Sequence, residues 1–336
     1  MRPLIVLFLI AVAAGCAAPG STSLSRLDLG ALARGAATKE SAYWTFFSNQ
    51  QQPELETAAV PLTKKSKVKN INGNSKNMLR DACCIRFYQN QAYVLGNTSG
   101  SSQPNTLWIF ELPLTTASKV QYYDTLEGES FAVHMEFDAH GNLWVSSLGY
   151  ERGTPEVTEY AAGSFFQEGG SISPSLTLTD GLDGPQGLGF DKNGRLYVAN
   201  ANSNEIAVFA QPIQNQQPYY LEGIESPGGI AFDAHGNLFA ASNDGSTGAM
   251  AEYKSDHLHA GDKPNVIDPQ GINASPYGSD LAFDGAGNLY DGDCGDTAGI
   301  YEWPLSTAKF SKTLAPSFYT NATILQNGCA WGLAIR

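Results

Sequence analysis

His134 and Asp280 are the residues whose types and placement come nearest to acid–base chemistry. Each stands three residues before the phenylalanine of a recurring F-D-x-x-G segment, His134 before Phe137 and Asp280 before Phe283. An imidazole and a carboxylate facing one small substrate would serve as its base and acid. The chain carries no G-x-S-x-G elbow, phosphate loop or dinucleotide fingerprint, and its Ser, His and Asp residues lack a nucleophile context. His140 and His235 occupy the middle of D-A-H-G turns and are expected to face solvent. His257 and His259 form an H-x-H whose rings fall on one side of a strand, a spacing suited at most to a surface metal. The run Asp291-Gly292-Asp293-Cys294-Gly295-Asp296, read as a loop, offers oxygens to Ca²⁺ but lacks the later Glu of an EF-hand. No metal ligand set is assigned and no cofactor is expected, apart from Ca²⁺ on that acidic run.

The elements that position these residues follow from the repeat. Segments starting at Phe137, Phe190, Phe232 and Phe283 share an apolar strand, a D-x-x-G turn and a second strand alternating Leu, aromatic and small residues. Asp accepts hydrogen bonds from backbone amides within such a turn, and Gly takes the left-handed position that closes the hairpin. A shorter copy without the Gly starts at Phe87, and Gly332-Leu333-Ala334-Ile335 matches the lead-in to Phe190. From Phe87 to Ile335 the intervals are 50, 53, 42, 51 and 52 residues, a period that marks propeller blades. Residues 106–114, 156–160, 205–209, 249–253 and 300–305 supply third strands, and a variable fourth follows. Pro just after a third strand suits an outer strand, where a missing amide donor costs little. Five full units run from about residue 81 to 318, and the chain ends after the first strand of a sixth. The three missing strands are expected at 43–47, 55–62 and 66–71, so that the last blade joins one C-terminal to three N-terminal strands and frees the ring of sheet edges. The fold class is all-β: one six-bladed β-propeller of four-stranded antiparallel blades with 1+3 closure over residues 43–336.

Composition agrees. With 42% hydrophobic residues among 336 there is side chain enough for a core, which excludes disorder. Gly 35 and Pro 17 supply turns, while Tyr 15, Phe 16 and Trp 5 favour strands. Charged residues, at 16%, are too few for long solvated helices or coiled coils. A net charge of −13 argues against nucleic acid, whose phosphates need clustered Lys and Arg. The basic run from Lys64 to Lys69 is short and is expected as a solvated edge strand.

Residues 1–16, MRPLIVLFLIAVAAGC, have the charged start, apolar run and small residues of a secretory signal, too short for a permanent membrane span. Ala13-Ala14-Gly15-Cys16 resembles the bacterial lipobox, with Ala13 where the family prefers Leu. That resemblance implies lipidation at Cys16, and Ala17 in place of Asp favours the outer membrane. Ordinary cleavage beside Ala17-Ala18, releasing a secreted protein, is the alternative. Residues 17–42 are Gly/Ala/Ser-rich and fit a flexible tether. The chain is thus expected to be exported, touching membrane only through its lipid.

The lead x-G-L/I-A-F-D-x-x-G-N-L-Y-V-A-N followed by I-x-V-F resembles the NHL-type propeller repeat over roughly residues 43–336. The same architecture carries SMP-30/gluconolactonase hydrolases, streptogramin-lyase-like proteins and many lipid-anchored bacterial proteins of unassigned activity. The resemblance implies the fold, and function is read from the site, since propellers host unrelated chemistries. It implies that the first residues of each innermost strand line the channel mouth. Four before the repeat Phe (or Ile335) stand Cys83, Val133, Gln186, Gly228, Ser279 and Trp331; three before stand Cys84, His134, Gly187, Gly229, Asp280 and Gly332. Lactonase-like relatives hold a divalent cation there through carboxylate and Asn. The first ring contains neither, and Gln186 replaces the Asn of the corresponding segment. His134 and Asp280 belong to opposite blades, so they meet only by bridging the channel; two lone groups with water between them is the plainer reading.

Loops between second and third strands emerge on the same face, carrying Asn97, Ser99, Asn200, Asn202, Asn204, Ser242, Asn243, Asp244, Asp291 and Asp293. With Tyr150 and Trp331 they make a polar mouth suited to a protein, peptide or glycan, whose hydroxyls need donors and acceptors. The expected binding residues are Gln186, Trp331, Asn200, Asn202, Asn243 and Asp244. The leading expectation is a non-catalytic, envelope-anchored binding or scaffold propeller. The alternative is a small-molecule hydrolase or lyase, lactonase-like or streptogramin-lyase-like, using His134 and Asp280.

Besides Cys16 there are four cysteines, an even number that favours disulfides in an exported protein. The blade map brings Cys83, Cys84, Cys294 and Cys329 toward one face. A Cys294–Cys329 bond leaves Cys83–Cys84 as a vicinal pair; the rival pairing joins Cys329 to Cys83 or Cys84.

Overall fold

A computed structural model describes residues 40–46, 55–71, 79, 82–97, 105–128, 131–149, 153–165, 169–242, 249–268, 280–294 and 298–336. Its unit is the D-x-x-G hairpin. Asp138 Oδ1 accepts the amides of His140 and Asn142 at 2.8 and 2.9 Å, and its Oδ2 accepts from Asn142 Nδ2 at 2.9 Å. Asp191, Asp233 and Asp284 likewise collect donors from their own turns. The closing glycines have φ of 85° at Gly141, 77° at Gly194, 80° at Gly236 and 90° at Gly287, where a Cβ would be strained. The next Asn reaches outward: Oδ1 of Asn142, Asn237 and Asn288 accepts the amide of Ala162, Ser255 and Ser306, tying each turn to the chain leaving the third strand. His140 and His235 are exposed.

The N-terminal strands are β1 (Ser41–Thr45), β2 (Leu55–Ala59) and β3 (Lys69–Asn70). Blade 1 contains β4 (Ala82–Tyr88), β5 (Gln91–Asn97), β6 (Asn105–Glu111) and β7 (Tyr122–Leu126). Then come β8 (Ala132–Phe137), β9 (Leu143–Ser147), β10 (Glu156–Tyr160), β11 (Gly170–Ile172) and β12 (Leu176–Leu178), of which all but β11 form blade 2. Blade 3 is β13 (Pro185–Phe190), β14 (Leu196–Asn200), β15 (Glu205–Phe209) and β16 (Tyr219–Leu221). Blade 4 is β17 (Pro227–Phe232), β18 (Leu238–Ser242), β19 (Met250–Tyr253) and β20 (Val266–Asp268). Blade 5 is β21 (Asp280–Phe283), β22 (Leu289–Asp293), β23 (Gly299–Trp303) and β24 (Ser317–Tyr319), followed by the short helix α1 (Ala322–Asn327) and by β25 (Leu333–Ile335).

Blade 6 has the order β25-β1-β2-β3, so one C-terminal strand is innermost to three N-terminal ones. The seam pairs Ala42 with Ile335, Tyr43 with Ala334 and Trp44 with Leu333. It is extended by Ser41 N to Arg336 O at 2.7 Å and Trp331 N to Thr45 O at 2.9 Å. The innermost strands β25, β4, β8, β13, β17 and β21 neighbour one another in that order and close a six-bladed propeller.

Aromatic pairs staple blade to blade. The repeat Phe packs edge-on against an aromatic ring in the second strand of the preceding blade: Phe87 on Tyr43, Phe137 on Tyr93, Phe190 on Trp144, Phe232 on Tyr197 and Phe283 on Phe239. This is why the second strand alternates Leu, aromatic and small residues: the ring faces forward to the next blade and its neighbours face back.

Three details differ from the sequence reading. β1 begins at Ser41, two residues inside the expected tether, because Ser41 and Ala42 pair with both Ala59–Ala58 and the C-terminal strand. The basic run is mostly a turn: the Thr63 and Ser66 side chains accept the amides of Lys65 and Thr63, so only Lys69 and Asn70 extend. β11 crosses from blade 2 and adds a parallel fifth strand to blade 1, Gly170–Ile172 against Asp124–Leu126. Ser171 and Ser173 hold that crossing by donating to Glu127 at 2.6 and 2.7 Å. The expected signal segment, Cys16 and most of the tether lie outside the described residues.

Candidate functional site

Successive side chains on a strand point to opposite faces, so residues three and one before the repeat Phe share a direction. On β4, β8, β13 and β17 a register shift lies just before the third-last of these positions or across it, and such a bulge re-aims the side chains that follow. In this structure those side chains converge. Asp280 Oδ1 and Oδ2 accept from Arg86 Nη2 and Nη1 at 2.7 and 2.8 Å, a bidentate pair. His134 Nε2 lies 3.0 Å from Asp280 Oδ1, and the Leu333 amide donates to Oδ2 at 2.9 Å. The Leu188 amide donates to His134 Nδ1 at 3.1 Å, which places the ring proton on Nε2, toward Asp280. Arg86 Nε donates to Glu136 Oε2 at 2.9 Å, and Nη1 also reaches the carbonyls of Ile85 and Leu333.

This axial clamp draws on five of the six innermost strands: β4, β8, β13, β21 and β25. Blade 4 offers only Gly229 at the equivalent position. Arg86, His134 and Asp280 are 8%, 4% and 2% exposed. Burial would raise the Asp280 carboxyl, but the Arg86 guanidinium and then His134 outweigh it and hold the group well below the usual carboxylate range. Burial also works against the Arg86 charge, and Asp280 with Glu136 more than restores it, leaving the guanidinium firmly protonated. The two residues singled out from the sequence therefore do meet across the axis. Both carboxylate oxygens of Asp280 and both ring nitrogens of His134 are engaged within the protein.

Arg86 and Glu136 were missed by the sequence reading, although a signal existed. They stand one residue before the repeat Phe, two beyond His134 and its equivalents. That ring is Arg86, Glu136, Gly189, Ala231, Ala282 and Ala334. Four tiny residues beside two long ones leave an open cavity of about 400 Å³ where the innermost strands run into the D-x-x-G turns. All six members line it, together with the repeat Phe residues, Ile335 and the aliphatic side chains between them. Glu136 keeps 29% of its side chain exposed here.

The opposite end is different from expectation. Gln186, Trp331 and Asn200 are buried at 6%, 8% and 1% exposure, as are Cys83 and Val133 of the same ring, so these side chains do not present an open mouth. Asn200 Oδ1 accepts the Asp183 amide and its Nδ2 donates to Gly181, which shapes its own loop. Asn202 is exposed and donates to Asp183 Oδ1, while Asn204 Oδ1 accepts the Ser226 amide. Asn243, Asp244, Tyr150, Ser99, Ser279 and Asp296 lie outside the described residues. His257 and His259 are exposed, and His259 Nδ1 lies 3.2 Å from Asp262.

Of the acidic run expected as a calcium-type loop, Asp291 to Asp293 instead end β22, where both carboxylates are fully buried. Neither carboxylate oxygen of Asp291 has a partner. Burial, then Asp293 and Asp280, push its carboxyl well above the ordinary value. Among the described residues no group of three or more His, Cys, Asp or Glu is placed to hold a metal.

Cys294 and Cys329 are bonded, which excludes the rival pairing of Cys329 with Cys83 or Cys84. The expected vicinal bond is absent: Cys83 and Cys84 are buried thiols on β4 with sulfurs 2.7 Å apart, beyond the roughly 2.05 Å of a disulfide. Burial, with Cys83 beside it, pushes the Cys84 thiol up, so it stays protonated.

No protein-family model matches the chain, and no curated protein matches its sequence. Solved structures do. A candidate 6-phosphogluconolactonase from Bacteroides uniformis superposes with a TM-score of 0.55 at 11% identity, covering 84% of this chain and 82% of that one. A second, from Bacteroides fragilis, gives 0.55 at 10% identity, covering 85% and 82%. A Lactobacillus plantarum protein gives 0.54 at 13% identity, covering 84% and 82%. Likeness at this level is one of fold.

Proposed function

We propose that the chain is a non-catalytic binding propeller that takes a small ligand in the axial cavity at the D-x-x-G end. One observation carries this reading. The cavity is open and sets Arg86 and Glu136 among apolar side chains, while His134 and Asp280 behind it have their polar atoms engaged with each other, Arg86 and two backbone amides. A general acid or base must be within reach of a substrate proton, and neither group has an unused position facing the cavity. The site thus shifts from the loop face to the turn face, because three of the four described residues expected at the loop face are buried.

The lactonase-like or lyase-like alternative draws on the fold-level likeness to candidate lactonases and on the NHL/SMP-30-type repeat. A lactone and ester hydrolysis panel on purified protein, with metal analysis, separates the two readings. We expect no turnover, and ligand-induced thermal shifts that Ala231→Phe, which fills the cavity, abolishes. Turnover lost in His134→Ala or Asp280→Asn would overturn the binding reading.

We further propose export and anchoring through a lipidated Cys16. The Cys294–Cys329 bond supports an oxidising compartment. In that case Cys16→Ser moves the protein from the membrane fraction to the soluble one and removes labelling by palmitate; an unchanged fraction and label would count against it.

A further inference from the structure

We infer that the axial cavity selects a small organic ammonium ion with an apolar body, and rejects anions; the inference rests on the cavity being the binding site. The reasoning is a balance of charges and donors. At the floor stand one guanidinium and two carboxylates: Arg86 is paired bidentately to Asp280 and again to Glu136. His134 adds no cation, since its Nδ1 accepts the Leu188 amide. The floor therefore carries one surplus negative charge, and it resides where Glu136 meets the cavity.

Donors and acceptors point the same way. The Arg86 Nε–H goes to Glu136, the Nη1 hydrogens to Asp280 and to backbone carbonyls, and Nη2 to Asp280 with its other side against His134. A phosphate or carboxylate entering the cavity would find four of the five guanidinium hydrogens committed and the fifth turned against the His134 ring. Glu136 is the reverse. Its Oε1 accepts the Phe137 amide at 3.0 Å and its Oε2 accepts from Arg86, one bond each, and an ionised carboxylate has about four acceptor positions. The remaining lone pairs and the surplus charge suit an N–H donor that is itself positive. The walls suit the rest of such a ligand: Gly189, Ala231, Ala282 and Ala334 leave room, and half-buried Phe rings surround them, whose faces attract cations. The class contrasts with the phosphorylated lactone in the name of the candidate lactonases of the same fold.

Isothermal titration calorimetry with three probes of matched shape tests this: 2-phenylethylammonium, 2-phenylethanol and 3-phenylpropionate. The ammonium ion is expected to bind about tenfold or more tightly than the alcohol, as a charge-assisted hydrogen bond implies, and the carboxylate more weakly than either. Glu136→Gln removes the preference for ammonium over alcohol while alcohol binding persists. Ala231→Phe, which leaves the clamp intact, abolishes binding of all three. Equal binding of alcohol and ammonium, or tighter binding of the carboxylate, overturns the charge inference and leaves the cavity reading standing. Absence of binding by every probe, or binding indifferent to Ala231→Phe, overturns both.

Discussion

Asp280 receives four donors from three different innermost strands, two of them from Arg86, so its contribution to stability depends on all of them at once. Removing Arg86 would leave a buried carboxylate without its countercharge. Arg86→Met is accordingly expected to cost about 3–5 kcal/mol in denaturant unfolding. Replacing Arg86, His134 and Asp280 together by Met, Leu and Leu should recover most of that loss, because well-packed apolar side chains often match a buried ion pair. If the triple variant were as unstable as the single one, the clamp would be doing something other than balancing charge. The pH dependence has a definite sign. The folded-state pKa of Asp280 is depressed, so its contribution is present above the unfolded carboxylate value, about 3.9, and is lost as pH falls through the folded one.

At the scale of elements the second strands are close copies, and Asp291 is the exception. Counting two residues past the start of each second-strand match gives Trp44, Val94, Val145, Val198, Ala240 and Asp291. Leu289, on the same face as Asp291, packs with Phe239, Ala241 and Leu281 between blades 4 and 5. A carboxyl at this apolar position has no hydrogen-bond partner, a condition that costs about 1–3 kcal/mol. Its folded pKa is raised, so stability falls as pH rises from the unfolded value through the folded one. Asp291→Val should raise the melting temperature, and by more at pH 8 than at pH 5. A variant less stable at both pH values would show that the carboxyl has a favourable contact that the structure does not contain.

The whole ring depends on its seam. Blade 6 lacks an innermost strand until residues 333–335 return to β1, and Cys329, bonded to Cys294, fixes the approach to that strand. Trp44 and Asn321 also converge on the buried Glu56, tying the N-terminal strands to the segment before α1. Deleting residues 325–336 removes the strand, the disulfide and the Leu333 contacts to the clamp together. The truncated chain should show no cooperative thermal transition; a melt like that of the full chain would contradict the closure.

The ring itself is legible in the residues. The D-x-x-G turn is local chemistry, a carboxylate collecting amides within four residues and a glycine at positive φ, so four copies at near-constant spacing announce four hairpins without tertiary knowledge. The Leu–aromatic–small alternation records which side of a strand faces the next blade, and the shortfall of three strands at one end forces closure by the other. Blade adjacency leaves Cys329 two neighbours, Cys294 in blade 5 and the Cys83–Cys84 pair in blade 1, and the tertiary structure chooses Cys294. What the sequence could not announce is which long side chains meet on the axis. Arg86 and Asp280 are 194 residues apart, and their meeting depends on ring diameter, on bulges that re-aim the strand starts, and on glycine or alanine at the facing positions. The same three quantities turned the expected mouth at Gln186 and Trp331 into buried structure and opened the cavity at the other end. β11 was hidden for a related reason: a three-residue strand has too little periodicity of its own, and it extends only because blade 1 offers β7 a free edge beside it.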